Sequence, residues 1–307
     1  MGFASELGFQ VISYKEGAAS LLVPFFDEKK VDLYYFSKLP VFFNPYMRLN
    51  RDLTVLFLAV NLNRVRALEP LAATGVRGLR IALEVPNTEI VVMNDLNLRA
   101  YKLMLLNISL NNLQDVVKAE NKEACVFLAE KSVETPGFNF VDVDPFGSPS
   151  PFTFCSLLPL KRGGYAGFTA TDLACLCGTH PKAALLKYGV KPFKSDFAHE
   201  LAIRILAQHV AFEAAKLGLE TKVILSYYYL HHIKVFFKFS RGRTKAYKTL
   251  EQNIKPLSYC PNCLWRNIGD PVKNCPRCGS KLLLLSKAWF GEIVDKNFCN
   301  KAMRWLN

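Results

Sequence analysis

The stretch NFVDVDPFGSPSPF, residues 139–152, ends an apolar, strand-like run with two carboxylates and then a proline, an aromatic residue and a glycine. Those residue types can hold a planar amine. The exocyclic amine of a nucleobase is a poor nucleophile because its lone pair is delocalised into the ring. A carboxylate and a backbone carbonyl that accept hydrogen bonds from both amino hydrogens help to localise that pair. Asp144 is the candidate carboxylate, and a candidate acceptor for the released proton. Pro145 fixes the turn and offers a carbonyl with no competing N–H. Phe146 is placed to stack on the base, and Gly147 to let the base approach. Asp142 points to the opposite face of the strand and is expected in a structural role. An ordinary β-turn accounts for D-P-x-G, but not for the second acid or the aromatic residue beside it.

A second set of reactive side chains lies far downstream. CPNC (260–263) and CPRC (275–278) are two CxxC knuckles separated by eleven residues. Facing each other, Cys260, Cys263, Cys275 and Cys278 make a four-thiolate cage suited to a structural Zn²⁺, with no open position for catalysis. Disulfides or a redox CxxC are the alternatives, and paired knuckles favour the metal. Arg266, Lys273, Arg277 and Lys281 flank the cage and are expected to face nucleic acid. The other five cysteines are scattered and are expected to be reduced thiols.

The elements that must position the first site are legible upstream. RVRALEPLAATGVRGLRIALEV, from residue 64, reads as a strand, a Thr-Gly turn and an amphipathic helix. Glu69 falls near the strand end. Gly75 and Gly78 permit close backbone approach to a ligand at the helix start, with Arg77 between them. The spacing is not that of the dinucleotide fingerprint, which disfavours a nicotinamide oxidoreductase. EIVVMNDLN (89–97) ends in Asp95, placed to accept both ribose hydroxyls of an adenosine group, although Asp95 or Asn97 could also cap the next helix. VVKAEN (116–121) precedes Lys122, Glu123 and Ala124, where an acid or backbone group could meet an adenine edge. A solvated glutamate in a first helical turn is the simpler reading of Glu123. Acids thus follow strands one, two and three, and DVDPFG follows strand four. This order along the strand tips suits S-adenosylmethionine.

The chain has 307 residues and a net charge of +13, and half of its residues are hydrophobic. Residues 241–307 hold 13 Lys/Arg against 4 Asp/Glu, and residues 1–240 hold 26 against 22. A basic terminal segment attracts a polyanion, or serves solubility alone. The longest apolar stretch, LTVLFLAV at 53–60, is too short to span a bilayer, and the start lacks a signal pattern. A soluble cytoplasmic protein with no membrane partner is expected, with a monomer favoured.

Five stretches in order resemble one family, the tRNA guanine-26 N2-dimethyltransferases. They are VFFNPYMRLNRDL (41–53), LAATGVRGLRIALE, VVMNDLN, FVDVDPFGSPSPF and TATDLACLCGTHPKAALLKYG (169–189). The resemblance implies methyl transfer from S-adenosylmethionine to the N2 amine of a guanine in tRNA. It implies cofactor contacts at Arg51, Arg77, Asp95, Glu123 and Ala124, and a target-base loop at Asp144, Pro145 and Phe146. Glu69 and Glu123 stand where the family commonly has aspartate. Thr169, Asp172 and His180 fall in the later stretch and are expected in a buried structural network. Relatives continue into a longer helical C-terminal domain, so substrate grip is expected from the ribbon, a shorter tail or a partner.

The expected architecture is α/β: a seven-stranded, doubly wound, Rossmann-like class I methyltransferase sheet over 1–240, closed by the pair KVILSYYYL and HHIKVFFKFS. A small basic zinc-ribbon module over 241–307 follows. The alternatives are methylation of an rRNA guanine or a DNA adenine amine, and a non-catalytic tRNA-binding protein.

Overall fold

The computed structural model describes residues 7–27 and 33–306. Strands β1 (Val11–Glu16) and β2 (Ala19–Pro24) precede helices α1 (Leu33–Ser37) and α2 (Arg48–Asn61). Strand and helix then alternate through β3 (Val65–Glu69), α3 (Val76–Glu84), β4 (Thr88–Asn94), α4 (Leu98–Leu110), β5 (Val117–Glu120) and α5 (Ala124–Lys131). β6 (Phe138–Val143), α6 (Ser150–Leu157) and β7 (Leu160–Ala170) continue the series. Helices α7 (Leu173–Leu176), α8 (Pro181–Tyr188) and α9 (Ala198–Lys216) lead to β8 (Leu219–Tyr229) and β9 (His232–Arg241). The last described elements are α10 (Arg243–Asn253), β10 (Ile254–Tyr259), β11 (Arg266–Ile268), β12 (Leu283–Trp289) and α11 (Lys296–Leu306). The main sheet has seven strands in the order β5-β4-β3-β6-β7-β9-β8, the mixed α/β sheet that the sequence predicts.

The chain divides into two compact units. The first holds the described residues through Val143, with Leu158–Lys161 and the residues from Asn300 on. Here β3 pairs in parallel with β4 and with β6, and β4 pairs with β5. The chain therefore steps outward from β3 to β5 and returns on the other side of β3. Open α/β sheets bind ligands outside the carboxyl ends of the strands at such a reversal. All six residues of β6 are buried, as in a parallel strand covered on both faces. Its buried Asn139 spends its amide on the β3 start, accepting from Arg66 N at 2.9 Å and donating to Arg64 O at 2.6 Å.

The β1–β2 hairpin rests on α4 through two asparagines one turn apart. Asn107 accepts from Leu22 N (2.7 Å) and donates to Leu22 O (3.0 Å). Asn111 does the same with Ser20 N (2.9 Å) and Ser20 O (2.6 Å). Side-chain amides at i and i+4 thus complete the open edge of β2 as a neighbouring strand would, leaving no bare edge there.

The second unit holds Asp144–Leu157 and Arg162–Cys299. β7 runs antiparallel to β9, and β9 to β8. The expected closing hairpin is present, with β8 beginning at Leu219. α9 carries a fully buried apolar face that includes Leu201, Ile205, Leu206 and Val210. The separate three-stranded sheet β11-β10-β12 bears the cysteine knuckles on its loops. Cys175, Cys177 and Cys299 are free thiols, as expected, whereas Cys125 and Cys155 are not, and the expectation of reduced thiols fails for those two. Among the described residues no helix is long and apolar enough to cross a membrane.

Candidate active site

The tips of β3, β4 and β5 meet around Asn94, a residue with no solvent exposure. Its amide nitrogen donates to Pro70 O and to Lys122 O, both at 3.0 Å, and its oxygen accepts from Lys122 N at 3.0 Å. One side chain therefore ties the loop after β3 to the loop after β5. Sequence reasoning missed Asn94; its one signal was an amide at the last position of an otherwise apolar strand.

Asp95 comes next and is half-buried. Its Oδ2 accepts from Ala73 N and its Oδ1 from Asn97 N, each at 2.9 Å. Burial raises its pKa above the ordinary 3.8, although those two amides pull the other way. A carboxylate offers about four acceptor sites, so two remain for vicinal hydroxyls once the amides are satisfied. Asn97, not Asp95, caps α4, its side chain accepting from Arg99 N at 3.0 Å. Leu96 and Leu98 are exposed beside this carboxylate. Half-buried acid, oriented backbone and adjacent apolar surface fit the ribose and adenine of an adenosyl group. Glu123 is exposed and caps α5, accepting from Val126 N at 2.9 Å, and Ala124 behind it is buried.

Arg51, Glu69 and Arg77 lie deeper, in buried networks. Arg51 Nε and Nη2 each reach Glu16 at 2.6 Å, and Nη2 also donates to Asn44 O at 3.2 Å. Arg80 meets Glu16 from the other side at 3.0 Å. Arg77 Nε donates to Glu69 Oε1 at 3.2 Å, and its Nη1 reaches Asn50 Oδ1 (2.6 Å), Thr54 Oγ1 (3.1 Å) and Asp142 Oδ1 (3.4 Å). Glu69 Oε2 accepts from Gly78 N at 3.1 Å. Asp142 therefore has the structural role expected of it. Asn50 and Thr54 were not foreseen; their i, i+4 spacing on an apolar helix was the available signal. At Gly75 and Gly78 the close neighbour is Met93. An added Cβ would lie 2.9 Å from Met93 Cε at Gly75, and 2.5 Å from its Sδ at Gly78. Gly75 also adopts φ +77°, which disfavours other residues.

In the second unit, Asp144 is half-buried, Pro145 buried and the Phe146 side chain 62% exposed. His231 lies within electrostatic range of Asp144. Burial lowers its pKa and the carboxylate's charge opposes that. Asp172 takes part in a buried hydrogen-bond network, as expected. Thr169 is buried in β7, and His180 is exposed at the start of α8, outside that network.

The four knuckle thiols converge. All their sulfurs lie within 4.8 Å of one another. Cys260–Cys278 and Cys263–Cys275 are each 3.5 Å apart. Four thiolates around Zn²⁺ at ~2.3 Å would be about 3.8 Å apart, so the cage fits a tetrahedral ion. Trp265, Val272 and Leu282 pack around it. Arg266 is not left for a nucleic acid: it pairs with Asp196 and lies 4.1 Å over the Phe197 ring.

A doubly wound sheet with a half-buried acid at a strand tip, and an amine-holding loop after the next strand in, defines a nucleotide-cofactor transferase of the methyltransferase type. Residues 17–307 match the family model described as N2,N2-dimethylguanosine tRNA methyltransferase. The chain belongs to that family. It is 38% identical over 295 residues to the tRNA (guanine(26)-N(2)/guanine(27)-N(2))-dimethyltransferase of Aquifex aeolicus, covering 93% of this chain and 73% of the relative. It is 36% identical to the tRNA (guanine(26)-N(2))-dimethyltransferase of Methanopyrus kandleri, covering 86% of this chain and 68% of the relative. The structure of Trm1 from Pyrococcus horikoshii with S-adenosyl-L-methionine superposes with a TM-score of 0.83 at 34% identity, covering 95% of this chain and 77% of that one.

Proposed function

We propose that this chain transfers methyl groups from S-adenosylmethionine to the exocyclic N2 amine of a guanine in tRNA, at position 26. The products are N2-methyl- and N2,N2-dimethylguanosine. The observation that carries the reading is family membership over residues 17–307 with the strand-tip carboxylate Asp95 and the loop Asp144-Pro145-Phe146 both intact. When bound, S-adenosylmethionine supplies a methyl group made electrophilic by its sulfonium.

The chain's own residues do the rest. Asp95 holds the ribose hydroxyls, and the Ala73–Gly75 backbone and Glu123–Ala124 border the adenosyl group. Glu69 and Arg77 shape this floor from below, and Arg51 supports it through Glu16. Asp144 and the Pro145 carbonyl accept the two amino hydrogens of the guanine. Phe146 stacks on its ring, which must leave the helix stack to reach the loop. Asp144 takes up the proton displaced from nitrogen as the new C–N bond forms. Because the donor is already activated, positioning supplies most of the acceleration. Cys260, Cys263, Cys275 and Cys278 would hold a structural Zn²⁺ that organises the basic module.

The test is nucleoside mass spectrometry of tRNA incubated with the protein and S-adenosylmethionine. Mono- and dimethylguanosine are expected from the wild type, and loss of both from Asp144→Ala with tRNA binding retained. A wild-type protein that leaves guanine unmodified, or an Asp144→Ala variant that methylates at the wild-type rate, would overturn the proposal.

A further inference from the structure

The stretch 169–189 has no part in the chemistry above, yet its side chains reach the target-base loop. We propose that Thr171, Asp172 and Tyr188 are positioning residues that set the conformation of residues 144–148. This rests on the function proposed for that loop.

Gly147 follows Phe146 and adopts φ +78°, and the place where a Cβ would stand is open, with no atom within 4 Å. Packing therefore does not impose this turn; hydrogen bonds do. Gly147 N donates to Thr171 Oγ1 at 2.8 Å, and Thr171 N donates back to Gly147 O at 2.9 Å. One residue at the end of β7 thus holds both polar groups of the glycine, whose own freedom would otherwise let the loop wander.

A second tether holds the next residue, and its protons can be assigned without ambiguity. Asp172 as a carboxylate only accepts. The Tyr188 hydroxyl, 2.8 Å from Asp172 Oδ1, must spend its proton there. Tyr188 oxygen then accepts from Ser148 Oγ at 2.7 Å. Ser148, its single proton used, accepts from Ser150 N at 3.2 Å and Ser150 Oγ at 3.1 Å. The chain runs one way, from loop to carboxylate, and Lys187 Nζ fixes its far end at 2.9 Å from Asp172 Oδ2. Tyr188 is 1% exposed. Burial first, and the Asp172 charge second, hold its pKa well above the phenol range, so the hydroxyl keeps its proton.

Two tethers on consecutive residues thus hold Asp144, Pro145 and Phe146 between β6 and position 147. The two signature stretches form one device: the earlier holds the base and the later holds the earlier.

The measurement is steady-state methyl transfer to tRNA by Thr171→Val, Thr171→Ser and Tyr188→Phe. Displacing a reacting group by ~1 Å costs up to about a hundredfold, so kcat should fall about ten- to a hundredfold in Thr171→Val and Tyr188→Phe. The KM for tRNA and the Kd for S-adenosylmethionine should stay within about twofold, the pattern of a lost transition-state interaction. Thr171→Ser, which restores the acceptor oxygen, should recover most of kcat. The proposal is overturned if folded Thr171→Val and Tyr188→Phe both keep kcat within about twofold of wild type, or if Thr171→Ser recovers nothing. Should Thr171→Val not fold, Tyr188→Phe decides alone. A wild type that transfers no methyl group would overturn the function itself, which separates the two failures.

Discussion

Glu16 carries the largest single stake in the first unit. It is 1% exposed and takes two contacts of 2.6 Å from Arg51 and one of 3.0 Å from Arg80. Glu16→Leu removes the only carboxylate printed against Arg51, which keeps the Asn44 carbonyl at 3.2 Å and the Phe43 ring at 5.7 Å. Arg80 is less affected, since Asp52 at 2.6 Å and Glu84 at 2.7 Å remain. A buried guanidinium without its counter-charge is the expensive outcome, so the variant should lose about 3–5 kcal/mol. The double variant Glu16→Leu/Arg51→Met removes both charges together and should stand within about 1–2 kcal/mol of wild type. Far-UV circular dichroism during urea denaturation is the assay, because all three tryptophans lie at 265, 289 and 305, away from this network in sequence. Acidification adds a check on sign. Burial alone would raise the Glu16 pKa, but the hydrogen bonds and charges of Arg51 and Arg80 outweigh it and hold it below 4.5. A lowered folded value means that the contribution is whole above pH 4.5 and is lost as pH falls through that lower value. The gap between wild type and Glu16→Leu should therefore narrow only in strong acid. Single-variant losses that simply add in the double variant would refute the reasoning. So would a Glu16→Leu cost under about 1 kcal/mol.

Asp95→Ala should weaken S-adenosylmethionine binding at pH 7 while leaving tRNA binding unchanged, as calorimetry with each ligand would read. Since burial raises the Asp95 pKa, cofactor affinity in the wild type should decline on acidification at a higher pH than an unperturbed aspartate would give, and Asp95→Ala should flatten that decline. Metal removal by a chelator should loosen the β11-β10-β12 sheet and red-shift Trp265, which packs on Cys260, Cys275 and Leu282, with most α/β dichroism retained. Purified protein that contains no metal by elemental analysis, or whose emission ignores the chelator, would refute the structural ion.

The parallel strands were legible because their apolar runs are short and bounded by turn residues. Residues 65–69, 88–94, 117–120 and 138–143 fall where the sequence puts them, and the acids follow at their tips. The cysteine cage was legible from spacing alone. What the sequence concealed is long-range pairing of polar side chains. Nothing in VISYKE and ASLLVP announces that two asparagines 85 to 91 residues away complete their hairpin. Arg51 and Arg77 read as ligand-facing cations in a glycine-rich and polar context. Their partners Glu16, Asn50, Thr54 and Asp142 come from four separate segments, and only the fold shows the charges to be met within it. The tethers on Gly147 and Ser148 were hidden for the same reason, since Thr171 and Tyr188 lie 24 and 40 residues downstream of their partners.

Asn94 is also a point of chemical ageing. Asparagine is among the thermolabile residues, and hydrolysis of its amide would leave every other atom of the chain in place. Its two N–H bonds, now aimed at the carbonyls of residues 70 and 122, would become a carboxylate facing two oxygens. Old or heat-stressed preparations should then lose grip on the adenosyl group before they lose secondary structure, a decay that an activity stain would register and a melting curve would overlook.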